Sequence, residues 1–101
     1  MVSGYGPFIR GLNAGWTYFV QPVDGGPIKI GYTRQSPKAR LRAIQIGSPV
    51  LLEVVGMVIG DREVELHQRF AYARMHGEWF RPVPELVGFI LECESDSLVA
   101  V

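Results

Sequence analysis

The stretch WTYFVQPVDGGPIKIGYT, residues 16–33, decides the fold. Residues 16–20 and 27–33 are rich in β-branched and aromatic side chains, and the second run alternates apolar residues with others. Between them, residues 23–26 read Val-Asp-Gly-Gly and supply turn residues that tolerate a positive φ. The stretch therefore predicts a β-hairpin, against which the remaining elements must pack.

Downstream of the hairpin, capping residues mark the ends of three helices. Serine followed by proline at 36–37 suits the start of the first helix, and Gly47 suits its end. Asp61 suits the start of a second helix, which we expect to run to about His76. Pro84 suits the start of a third.

Residues 49–59 are almost continuously apolar and predict a buried strand, and Gly77 is expected to stop the second helix. The predicted order is ββαβαα. This order describes a small α/β (α+β) domain with a three-stranded, mostly antiparallel sheet flanked by three helices. We expect an irregular leader over residues 1–15, the domain over residues 16–94 and a tail over residues 95–101.

Composition limits the classes of protein. With 101 residues, of which 48% are hydrophobic, the chain has enough apolar material for one core. The formal net charge is zero, so the global basic footprint of many nucleic-acid binders is missing. No apolar run predicts a membrane span, and the single cysteine, Cys93, excludes an internal disulfide. A cytoplasmic protein is expected.

The first helix carries one charge on an unexpected side. At about 100° per residue, Lys38 and Arg42 share the solvent arc, whereas Arg40 falls between Ala43 and Ile44 on the apolar side. A guanidinium there needs a partner or a ligand. The alternative is an arginine that reaches the surface from the helix edge.

The second helix shows the same feature with three residues. Glu63, His67 and Arg74 follow one stripe through the apolar face, while Glu65 points to solvent. An inward carboxylate beside an imidazole is compatible with a hard-metal or acid–base site. The alternative is a buried structural network of the same three side chains.

Five short segments occur together in a familiar order and spacing. They are Tyr18-Phe19-Val20, residues 28–33, Pro37-x-x-Arg40-Leu41, Glu63-x-x-Leu66-His67-x-x-Phe70-x-x-x-Arg74 and Gly77-Glu78-Trp79-Phe80. With them the chain resembles the GIY-YIG nuclease superfamily. More narrowly, it is similar to a phage-associated branch with Lys-Ile-Gly in the second signature and a Gly-Glu-Trp-Phe turn.

The resemblance implies a role for each matching residue. Tyr18 helps to activate the attacking water, Arg40 stabilises the transition state, and Glu63 holds one Mg²⁺ or Mn²⁺ ion with waters. Lys29 stands in place of the second tyrosine and would add a fixed positive charge near the nucleophile or the phosphate. The implied activity is the hydrolysis of DNA phosphodiester bonds.

Other residues have less definite roles. Many members of that superfamily carry an asparagine late in the chain, whereas the only asparagine here is Asn13. His67, four residues after Glu63, is the best substitute for it, as a water-orienting group or as a general base. Satisfying a buried hydrogen bond is its alternative. Glu78 and Trp79 could line the site or lock the last turn against the sheet, and we favour the structural role for both. The side chains expected to bind substrate phosphates are the basic residues Arg34, Lys38, Arg42 and Arg74.

The function predicted from these residues is a divalent-metal-dependent DNA endonuclease. A rival is a nucleic-acid-binding or regulatory module that kept the scaffold and lost turnover. A third interpretation is a plain interaction domain whose inward charges are structural. The expected partner is DNA and not a membrane, and the sequence leaves open a recruiting protein or a homo-oligomer.

Overall fold

A computed structural model of the chain describes residues 14–100, with side chains for residues 14–93. The elements that lie within this part are five strands and three α-helices. In chain order they are β1 (Trp16–Pro22), β2 (Ile28–Thr33), α1 (Pro37–Ile46), β3 (Leu52–Ile59), α2 (Glu63–Arg69), β4 (Arg74–His76), β5 (Trp79–Phe80) and α3 (Pro84–Ala100), with a 3₁₀ turn (Ala71–Ala73) after α2.

The five strands form one antiparallel sheet in the order β3-β1-β2-β5-β4. The predicted hairpin is confirmed, because β1 pairs with β2 and places Tyr18 opposite Gly31 and Val20 opposite Lys29. The class is therefore α+β. The predicted three-stranded sheet is wrong, because β5 pairs with β2, and β4 with β5, on the far side of the hairpin.

The second helix is shorter than the sequence predicts, and this accounts for the two extra strands. Helix α2 ends at Arg69, after which the chain turns and returns along the edge of β2. Gly77, with φ +57°, makes the turn between β4 and β5 and does not stop a helix. The predicted order ββαβαα is wrong for the same reason, and Arg74 lies on β4.

Apolar side chains pack on both faces of the sheet. On one face, α2 and α3 cover the larger core, whose buried members are Phe19, Ile28, Ile30, Leu66, Phe70, Phe80, Leu86, Ile90 and Cys93. On the other, Leu41 and Ile44 of α1 pack against Tyr18, Val20 and Leu52. Because side chains alternate along a strand, Phe19 and Tyr18 serve opposite cores.

Strand β3 lies at the edge of the sheet and is not the buried strand that its composition predicts. Its first residue, Leu52, is buried, but Met57 and Ile59 are exposed. An apolar run of this length does not distinguish an edge strand from a central one, because burial depends on which strands pair on either side.

The predicted helix starts are confirmed for α1 and α3. The Ser36 hydroxyl accepts a hydrogen bond from the Ala39 amide at 3.1 Å, Gly47 caps the end of α1, and α3 begins at Pro84. Among the described residues, no helix has the length and apolar character needed to cross a membrane. The expected leader lies outside the described residues except for its last two positions, and the domain boundaries stay a prediction.

Candidate active site

Tyr18 owes its place to a glycine on the neighbouring strand. Its side chain is 1% exposed and lies across Gly31, its register partner on β2. A Cβ atom at residue 31 would come within 2.6 Å of the Tyr18 Cζ atom, closer than real Cβ contacts. A glycine inside a strand often marks such a close approach. The lack of a side chain at Gly31 therefore makes room for the Tyr18 ring.

Arg40 reaches this tyrosine from α1. The Arg40 Nε atom donates to the Tyr18 hydroxyl at 3.4 Å, although most of the arginine is exposed. This hydrogen bond raises the pKa of Arg40, with further help from the negative charge of Glu78. Arg40 thus reaches the surface, as the alternative interpretation expected, and also contacts the hydroxyl of the buried phenol.

Lys29 lies on the same face of the hairpin as Tyr18, two residues before Gly31. Its side chain is 14% exposed, and its Nζ atom lies 2.6 Å from the Glu78 Oε1 atom. The same ammonium lies 5.9 Å from the centroid of the Trp79 ring. The turn between β4 and β5 therefore supplies one close neighbour of this cation, and the first residue of β5 supplies another.

Helix α2 brings Glu63 and His67 to the open edge of β2. Strand β5 pairs with β2 at Ile28 and Lys29, and beyond them the His67 Nε2 atom donates to the Ile30 carbonyl oxygen at 2.9 Å. The same nitrogen is 3.9 Å from the Glu63 Oε2 atom. The hydrogen bond anticipated as the alternative for His67 is thus present, and it ties α2 to the strand that carries Lys29.

The Glu63 and Glu78 carboxyl groups shift each other's pKa in opposite directions. Burial, a hydrogen bond to Glu78 and the negative charges of Glu78 and Asp61 raise the pKa of Glu63 to about 7. Burial also favours the neutral form of Glu78, but hydrogen bonds from Glu63 and Lys29 outweigh it and lower the Glu78 pKa. Because Lys29 pairs directly with Glu78, the proton resides on Glu63 and the charge on Glu78.

The predicted phosphate-binding residues divide into two groups. Arg74, from β4, lines one surface depression with Glu63, His67 and Glu78, and its Nε atom donates to the Gly77 carbonyl oxygen at 2.7 Å. The other three, Arg34, Lys38 and Arg42, are exposed on α1 and on the loop before it. Arg74 therefore joins the acidic cluster through a strand and not through the predicted helical stripe.

The sequence assigned no role to Gly31 and only a less favoured place in the site to Glu78. Gly31 belongs to one of the five short segments but receives no role from them, and its position inside a strand is the available signal. For Glu78 the sequence favours a structural role, whereas its carboxylate contacts Lys29 and Glu63. No local pattern signals that contact, because it depends on the pairing of β5 with β2.

The donor set suits a hard divalent cation. Glu63 and Glu78 place two carboxylates within hydrogen-bonding reach, and Mg²⁺ is commonly held by one or two carboxylates with several waters and substrate phosphates. The part of the chain that the structure describes contains no group of three histidine, cysteine, aspartate or glutamate side chains arranged for a metal. A site here would rely on water and substrate for its other ligands.

Comparison with known families corrects the resemblance to GIY-YIG nucleases. A family model described as the T5orf172 domain matches residues 15–94. It is a different family from GIY-YIG, for which no match is detected, so the GIY-YIG assignment is wrong. The T5orf172 match points to a nuclease or DNA-binding role. No curated protein and no solved structure matches the chain.

Proposed function

The chain belongs to the T5orf172 domain family, and from this membership and its charged cluster we propose that it hydrolyses DNA phosphodiester bonds with a divalent cation. The observation that carries the proposal is the convergence of five side chains from separate elements. Arg40 contacts Tyr18, while Lys29 and Glu63 both contact Glu78, whose charge also acts on Arg40. Fixed cationic side chains stabilise the charge that develops on a phosphoryl group during its transfer, and a carboxylate can hold the metal ion that does the same.

In the proposed reaction, Arg40 and Lys29 neutralise the charge that develops on the phosphate. Arg40 lies over the buried Tyr18 hydroxyl, so a phosphate that draws the guanidinium outward would open that hydroxyl to the attacking water. Tyr18 then orients the water by hydrogen bonding. Lys29 offers the ammonium hydrogens that Glu78 does not use to a phosphate oxygen or to the leaving group.

Glu63 is the proposed metal ligand, and Mg²⁺ or Mn²⁺ bound there would supply Lewis-acid stabilisation of the phosphate. Its side chain is 26% exposed and opens on the depression that Arg74 also lines. His67 holds α2 against β2 and thereby keeps Glu63 beside Glu78. The catalytic role predicted for His67 stays a prediction.

DNA is the proposed substrate because further cations lie close to Arg40 in the sequence. Arg34, Lys38 and Arg42 are exposed close to Arg40 in sequence, and between Asp24 and Glu53 the chain has five basic residues and no acidic one. Local positive charge of this kind binds successive phosphates even in a protein of zero net charge. These side chains position the backbone and do not read bases.

The test of this function compares two glutamates on one helix. Glu63→Gln removes the proposed ligand, and Glu65→Gln removes an exposed carboxylate that pairs with Arg62 at 2.6 Å. We expect cleavage of supercoiled and branched DNA in Mg²⁺ or Mn²⁺ by the wild type and by Glu65→Gln. Glu63→Gln should lose more than the roughly 10- to 100-fold that removal of an outer-shell partner costs. Equal cleavage by Glu63→Gln would refute the mechanism.

A second candidate is a nucleic-acid-binding module without turnover. It is favoured by the pKa of Glu63, because a carboxyl that holds its proton near pH 7 binds a cation weakly. This module would bind labelled DNA with a salt-dependent affinity that Arg42→Ala reduces, and it would leave the DNA intact with every metal tried. Cleavage that depends on Glu63 excludes it.

A further inference from the structure

The Lys29 ammonium is held by two consecutive residues, Glu78 in the turn between β4 and β5 and Trp79 at the start of β5. Glu78 contributes a carboxylate oxygen at 2.6 Å, and Trp79, which pairs with Lys29 in the sheet, contributes a ring face at 5.9 Å. A lysine carries its charge on a flexible four-carbon stem, so two such contacts restrict where the ammonium lies. The position of the Lys29 ammonium is therefore determined by residues that do not belong to its own strand, β2.

The Glu78 carboxylate is not needed to hold this turn. The Ile30 amide donates to the Glu78 carbonyl oxygen at 2.9 Å, and Phe80 pairs with Ile28 and is completely buried. These backbone and core contacts attach β5 to β2 whatever the side chain at residue 78. The carboxylate is 40% exposed and faces the charged cluster, where it contacts Lys29 and Glu63.

We propose that Glu78 is a positioning residue that fixes the Lys29 ammonium beside Glu63 and acts on the reaction through Lys29. This inference rests on the proposed hydrolysis of DNA, in which Lys29 stabilises the charge of the phosphate. Glu78 bridges the two groups that must meet one substrate, since its carboxylate contacts the ammonium and the Glu63 carboxyl. It leaves two ammonium hydrogens of Lys29 for that substrate.

The test is a double-mutant cycle on cleavage with the full chain. Glu78→Gln keeps the shape and removes the charge, and we expect kcat to fall about tenfold with KM changed less than about twofold. In the Lys29→Met background, Glu78→Gln should cause no further loss, because the group through which it acts is gone. Glu65→Gln, which removes an equally short but exposed ion pair, should leave kcat unchanged.

Mn²⁺ binding, measured by calorimetry, distinguishes positioning from metal ligation. Glu78→Gln should bind Mn²⁺ at least as tightly as the wild type does, whereas Glu63→Gln should not bind it. Loss of Mn²⁺ binding in Glu78→Gln, independent losses of kcat in the cycle, or full activity of Lys29→Met would each overturn the proposal.

A spectroscopic measurement keeps this inference separate from the proposed function. If the wild type cleaves no DNA, the proposed function fails, but the NMR signal of the Lys29 ammonium still reports on Glu78. We expect a wild-type signal that persists because the ammonium hydrogens exchange slowly with water, and its loss in Glu78→Gln. An unchanged signal in that variant would show that Glu78 does not position Lys29.

Discussion

Two regions supply most of the candidate site, and they are encoded differently. The hairpin of residues 16–33 carries Tyr18 and Lys29, and its alternation and its glycine turn predict its structure. Residues 63–80 carry Glu63, His67 and Glu78, but their pattern predicts one long helix where the structure has a helix and two short strands. The site thus joins a locally encoded region to one that depends on tertiary pairing.

Local sequence signals are ambiguous in the second region, residues 63–80. A glycine with a positive φ ends a helix or makes a tight turn equally well, so Gly77 is compatible with both structures. Pairing of Trp79 and Phe80 with β2 decides between them. In the hairpin no such competition arises, because the two strands are each other's nearest partners along the chain.

The largest expected effect is that of a substitution inside the hairpin, Gly31→Ala. Gly31→Ala places a Cβ atom against the buried Tyr18 ring, which cannot move without disturbing the packing beneath α1. We expect a loss of about 1–3 kcal/mol in the free energy of unfolding, as for other overpacked sites. We also expect cleavage to fall, because the Tyr18 hydroxyl leaves Arg40. Urea unfolding and the plasmid assay measure the two effects.

The matched control for this change is Gly88→Ala in α3. A Cβ atom there meets no atom within 4 Å, and alanine favours a helix over glycine by up to about 1 kcal/mol. Gly88→Ala should therefore be neutral or stabilising and should leave cleavage unchanged. Similar behaviour of the two variants would contradict the steric role of Gly31.

Much of the fold follows from local chemistry. The hairpin, the serine–proline start of α1 and the start of α3 at Pro84 were predictable, because caps and turns depend on neighbouring residues. The short strands β4 and β5 were not predictable, because two or three residues carry too little periodicity to reveal a strand. The edge position of β3 was not predictable either, because an apolar run does not indicate which strands pair with it.

The candidate site shows the same division. Helical phase separated Glu63 from Glu65, and the structure has Glu63 half-buried in the cluster and Glu65 on the surface with Arg62. Helical phase wrongly placed Arg74 on the same stripe as Glu63 and His67, because α2 ends before residue 74. Helical phase could not predict the contacts of Glu78 with Lys29 and Glu63, because they form only when β5 pairs with β2.

We expect a smaller effect on stability from alanine substitutions in the two turns, one in each region. Gly25 and Gly77 both have a positive φ and open space where a Cβ atom would lie, so alanine should cost each about 1–2 kcal/mol of stability. Gly77→Ala should also lower kcat, since it displaces the neighbouring Glu78 carboxylate. Gly25→Ala should leave kcat unchanged, because it disturbs only the far end of the hairpin. Equal activity of the two variants would mean that the β4–β5 turn does not serve the site.

The smallest expected effect concerns the pH dependence of stability in the second region. The pKa of Glu63 rises from 4.5 to about 7 on folding, so the folded state retains a proton that the unfolded state releases. Stability from this group is complete below about pH 4.5 and is lost as the pH rises through about 7. The pKa of Glu78 is lowered, so its contribution changes only below its ordinary range and leaves pH 5–8 to Glu63.

Glu63→Gln resembles the protonated carboxyl, because its amide still donates to Glu78 but does not ionise. We therefore expect this variant to gain stability relative to the wild type as the pH rises from 5 to 8, with little difference at pH 5. Urea unfolding at several pH values, without metal, measures this gain. Glu65→Gln should show no such trend, because the pKa of Glu65 is lowered by its hydrogen bond to Arg62. A constant difference between Glu63→Gln and the wild type would mean that Glu63 is already ionised at pH 5 and that folding does not raise its pKa.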